Sequence, residues 1–76
     1  MPTRHFSIQT VHRIVDRFHV SASEEDITSA INNRIENAIL AGTPWTPAQR
    51  RLAIRDALSR HRQNIKLYMF VQRGHR

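Results

Sequence analysis

Residues 64–74 read NIKLYMFVQRG, and the fold turns on whether they form helix or strand. As a strand, Ile65, Leu67, Met69 and Val71 alternate with Lys66, Tyr68, Phe70 and Gln72, although two of the second set are aromatic. As a helix, they extend a pattern that starts well upstream. At 100° per residue, Ile54, Ala57, Leu58, His61, Ile65, Tyr68 and Met69 share one side. That register passes Asn64 without a break, and Gly74 offers a stop. The continuous pattern favours one helix from 47 to about 72. The rival is a helix ending near 64, followed by a short C-terminal strand. The helix leaves Leu67, Phe70 and Val71 off the stripe, so they need a second contact surface, either a partner chain or the N-terminal arm.

Upstream, Thr46 is placed to cap this third helix. Pro47 suits its first position, and Gln49 completes a capping box. The link GTPWTP, residues 42–47, is short and stiffened by Pro44 and Pro47, which favours a hairpin between helices 2 and 3. The second helix is expected over about 24–41. Ser23 is its N-cap candidate, with Glu24, Glu25 and Asp26 in the first turn and Gly42 just past the end. Ile27, Ile31, Ile35, Ala38 and Ile39 form its apolar stripe. Ser7 can cap a first helix over about 8–19, with Ile8, Val11, Ile14, Val15 and Phe18 on one face. The β-branched residues there leave a strand near 5–11 as the alternative. The expectation is a small all-α domain of three helices, with residues 1–6 as an arm and 73–76 as a basic tail. Its expected core is Val11, Ile14, Val15, Phe18, Ile27, Ile31, Ile35, Ile39, Ile54, Leu58 and Ile65.

A chain of 76 residues is one domain near the lower size for unaided folding, so a homodimer that buries more surface is a reasonable expectation. There are no cysteines, which excludes disulfides and thiolate metal sites. No apolar run reaches the ~20 residues of a membrane span, and no apolar leader is visible. The chain reads as cytoplasmic, with no membrane partner.

The net charge of +6 is unevenly placed. Residues 1–20 sum to +2, 21–46 to −3 and 47–76 to +7. A field of that kind attracts polyanions or acidic protein surfaces. Arg51, Arg55, Arg62 and Lys66 stand at i, i+4, i+11 and i+15, one line along the edge of the apolar face. Arg50 and Arg73 join them as candidate binding residues, although Arg50 and Arg60 point elsewhere on a helical wheel. The line suits a phosphate backbone, each contact releasing a counterion. The plainer reading is a solvated face whose arginine stems cover apolar edges. Helix 2, link and helix 3 have the order of a helix-turn-helix. Two prolines and a tryptophan in the link, and the length of helix 3, argue against that motif.

Trp45, Tyr68 and Phe70 are candidate interface anchors, with Trp45 also placed to pack on the helix pair it joins or to stack on Arg50. His12, Asp16 and His19 stand at i, i+4 and i+7, a spacing that can converge on zinc or nickel. One straight helix seldom supplies three ligands, and a fourth would need His5 to fold back, so a wet polar face is preferred and no metal or cofactor is assigned. His61 falls on the buried stripe of helix 3. No cysteine nucleophile, Gly-rich phosphate loop or paired carboxylates for acid–base work are present. The expectation is a non-enzymatic binding protein that uses helix 3 on DNA or RNA, accessory or regulatory in role. The alternative is a small adaptor or inhibitor, such as a phage-type blocker of host or defence machinery, docking on an acidic protein surface.

Overall fold

Residues 64–74 are helical to the last of them. The computed structural model describes residues 8–42 and 44–74, and within these the chain forms α1 (Ile8–Asp16), α2 (Glu24–Leu40) and α3 (Pro47–Gly74). The C-terminal strand is therefore corrected to helix. A strand there would have no strand among the described residues to pair with, and its backbone groups would be left unbonded. The strand alternative at the N-terminal side is corrected likewise from Ile8 onward. The arm at 1–6, the Ser7 cap and residues 75–76 of the basic tail lie outside the described residues, while Arg73 and Gly74 belong to α3.

Local chemistry sets most helix ends. At the start of α2, the Asp26 N–H donates to Ser23 Oγ at 3.1 Å and the Ser23 N–H donates to the Asp26 carboxylate at 3.4 Å. This reciprocal pair satisfies two donors that the first turn leaves open. The same box opens α3, with Gln49 N–H to Thr46 Oγ1 at 3.1 Å and Thr46 N–H to Gln49 Oε1 at 2.9 Å. After α2, Gly42 takes a φ of 98°, the left-handed conformation that terminates a helix at little cost only in glycine. Helix α1 ends at Asp16, three residues earlier than expected. Tight bonds from Arg17 N–H to the Ile14 carbonyl and from Phe18 N–H to the Val15 carbonyl close it. No glycine or proline marks that point in the sequence.

Helix α3 lies in the notch between α1 and α2 and packs on both. The fully buried apolar side chains are Val11 and Val15 of α1, Ile27, Ile31 and Ile35 of α2, and Ala53 and Ala57 of α3. Ile14, Phe18, Ala22, Trp45, Ile54 and Leu58 pack around them, partly buried. Two positions of the expected core are corrected: Ile39 is 41% exposed and Ile65 is only half-buried. The buried centre of α3 is Ala53, Ala57 and His61, rotated about 80° from the midline of the larger aliphatics. Small side chains there let two helices approach one. Ile54 and Leu58 then cover the flank.

Helix α3 has 28 residues, about 42 Å at 1.5 Å per residue, against 17 in α2 and 9 in α1. It outruns both partners. The molecule measures 51 × 26 × 16 Å, and its longest dimension exceeds the length of α3 alone.

Candidate functional site

The side chains of α3 divide into three strips. The first faces α1. Arg60 Nε and Nη2 donate to the two carboxylate oxygens of Asp16 at 3.0 and 2.8 Å, and Asn64 Nδ2 adds a third bond at 2.8 Å. These bonds, those of Arg60 first and that of Asn64 next, lower the Asp16 pKa to about 2. One turn away, His12 Nε2 and Asp56 Oδ2 lie 2.6 Å apart. The second strip faces the α1–α2 connection. His61, 1% exposed, donates from Nε2 to the Ala22 carbonyl at 2.8 Å. It is a core histidine with a satisfied bond. The three residues considered for a metal take separate partners. His12 turns to Asp56 and Asp16 to Arg60, while His19 bonds Ser21 at 2.8 Å through Nδ1 and meets the Tyr68 ring edge-on at 6.4 Å. No group of three potential ligands gathers among the described residues.

The third strip faces away from α1 and carries the basic line. Because α3 continues to Gly74, Arg73 falls on it, and the members are Arg51, Arg55, Arg62, Lys66 and Arg73. Their steps are four, seven, four and seven residues, an eleven-residue repeat. Eleven residues are close to three whole turns, so all five stay within an arc of about 60° along roughly 33 Å of helix. Each is exposed. Arg51, Arg55 and Arg62 border a shallow open groove whose floor is Ile54 and Leu58, and Ala48 and Leu52 extend the rim.

The five cations are not equivalent. Arg62 donates through Nε and Nη2 to both oxygens of Glu24, at 2.7 and 3.0 Å. That contact holds the Glu24 carboxyl below its usual range and raises the Arg62 guanidinium. Arg51, Arg55, Lys66 and Arg73 make no ion pair with a described acid. Arg50, also proposed from sequence, lies off the line. It pairs with Glu36 across the α2–α3 hairpin, and its Nε is buried without a hydrogen-bond partner. Its guanidinium braces the hairpin. Of the proposed anchors, Trp45 is half-buried and packs on the core. Tyr68 is exposed beside His19, and Phe70 is 75% exposed.

No protein-family model, no curated protein and no solved structure matches the chain. None of the helices is long and apolar enough to cross a membrane, among the described residues.

Proposed function

We propose that this chain is a non-enzymatic nucleic-acid-binding protein that lays the basic line of α3 along a phosphate backbone, in an accessory or regulatory role. One observation carries the reading: four cations with no acidic partner among the described residues stand in one straight line with Arg62. A solvated helix face gains from interspersed acids, which the line lacks. The length also suits a duplex, since roughly 33 Å of helix is about one turn of B-DNA. The major groove admits an α-helix, and four of the five cations are arginines, which take phosphate oxygens in pairs. The line itself carries no asparagine or glutamine. Contacts made by its cations go to phosphates and carry little sequence preference. Arg62 enters such a contact only by exchanging Glu24 for phosphate.

The floor of Ile54 and Leu58 between Arg51, Arg55 and Arg62 supports a second reading, an adaptor or inhibitor that receives an acidic segment with apolar side chains. A charge-matched pair of variants separates the two. Arg51→Ala/Arg55→Ala removes two cations from the line, while Arg13→Ala/Arg17→Ala removes two exposed cations from α1 and its end. Fluorescence anisotropy on random duplex DNA and single-stranded RNA should show at least a ~10-fold loss for the first pair and less than ~3-fold for the second. Equal losses would contradict a dedicated line. Absence of binding by the unaltered protein at ~50 mM salt, where phosphate contacts are strong, would reject the nucleic-acid reading. In that case Leu52→Ala, which removes an exposed apolar side chain from the rim of the groove, would be the informative variant for a protein partner.

A further inference from the structure

The end of α3 is a second surface, distinct from the basic line. Beyond Tyr68 no described side chain of α1 or α2 bonds to it, yet the helix continues for six residues to Gly74. The segment is apolar on much of its circumference: Leu67 is 63% exposed, Val71 51%, and Tyr68 and Phe70 are exposed beside them. On the helical wheel these four span an arc of about 160°, and Val71 lies directly above the Ala53–Ala57–His61 stripe that is buried lower down. The stripe that makes the core thus runs on past the end of the core. Short helices without tertiary support are marginal in water, and a wide apolar face on a helix is ordinarily a buried one.

We infer that this end of α3 is the seam of a homodimer, in which the two copies cross antiparallel through Leu67, Tyr68, Phe70 and Val71. Three features point to a second copy. The patch is self-complementary, as a two-fold interface requires, because apolar side chains meet the same apolar side chains. Its size fits a weak dimer: the four side chains expose roughly 500 Å² per copy, so full burial of the patch hides about 1,000 Å² for the pair, at the low end for an interface. The charges also permit it. Lys66 and Arg73 sit toward the opposite side of the helix, about 120–140° from the centre of the apolar arc, so pairing does not bring these two cations onto the seam. An acidic foreign partner would be drawn to that opposite side. The dimer would hide the apolar arc and leave two basic lines facing outward.

The test needs no nucleic acid, so its outcome is independent of the proposed function. Sedimentation equilibrium should give a dimer with a dissociation constant in the micromolar range. Leu67→Asp/Val71→Asp, with unchanged helical circular dichroism, should raise that constant by at least ~100-fold, about tenfold for each of the two substitutions, counted over both copies together. A monomer at ~100 μM would overturn the inference, and so would a dimer that survives the double substitution. A second pair of variants covers any loss of folding in the aspartates. The chain has no cysteine, so Val71→Cys introduces a single thiol at the seam and Ser59→Cys one on the exposed body of α3. Selective oxidation of the Val71→Cys protein to a disulfide-linked dimer supports the seam, and equal or absent cross-linking of the two overturns it.

Discussion

Asp16 ties the end of α1 to two residues of α3, Arg60 and Asn64. Its folded pKa of about 2 is below the ordinary value of 3.8. The contribution is therefore present above about pH 4 and is lost as pH falls toward 2. The carboxylate is partly exposed, so after screening by solvent it amounts to about 1 kcal/mol. Urea denaturation of the unaltered protein and Asp16→Asn should show the variant less stable by about that much at pH 6, with the gap closing near pH 2. A constant gap across that range would assign the loss to packing instead. This pair was not legible in the sequence. Its members are 44 residues apart, and the only local signal at Asp16 was its spacing from His12 and His19. The Arg50–Glu36 and Arg62–Glu24 pairs were hidden for the same reason: cross-helix partners depend on how helices dock. His61 was legible as a buried residue because its position on the stripe depends on periodicity alone.

Elements follow their sequence signals where the chemistry is local. Both capping boxes form where Ser23–Asp26 and Thr46–Gln49 place them, and Gly42 adopts its terminating conformation. Ser23→Ala should cost about 1 kcal/mol by removing the acceptor for the Asp26 N–H. Thermal unfolding monitored by circular dichroism checks this, and an unchanged midpoint would mean water replaces the cap without loss. Packing was less legible. Large aliphatics suggested that Ile54, Leu58 and Ile65 face the centre, but α3 has neighbours on two sides and turns its alanines inward. Ala57→Leu should then destabilise by about 1–3 kcal/mol through overpacking between α1 and α2. A neutral result in chemical denaturation would show that the notch has room. The end of α1 at Asp16 was missed because backbone bonds close it with no special residue. The apolar residues at 65–72 suited helix and strand alike until the rest of the fold removed any strand to pair with.

At the scale of the molecule, the helices α1 and α2 hold one end of a long basic helix, and the other end runs beyond them. The basic line through Arg51, Arg55, Arg62 and Lys66 was legible because a helix of known register places it. Arg73 was also a candidate binding residue, but its place on the line was hidden because the helix end was set about two residues short. The net charge of +6 understates this surface, because four of the six acids are on α2 and the other two, Asp16 and Asp56, pair off the basic line. The most direct test of the account is the salt dependence of binding to duplex DNA, measured between ~50 and ~200 mM. Four cations without acidic partners predict a log–log slope of about −3 to −4 per bound chain, falling to about −2 in Arg51→Ala/Arg55→Ala. A slope near zero, or one that the double substitution leaves unchanged, would contradict a phosphate-binding role for the basic line.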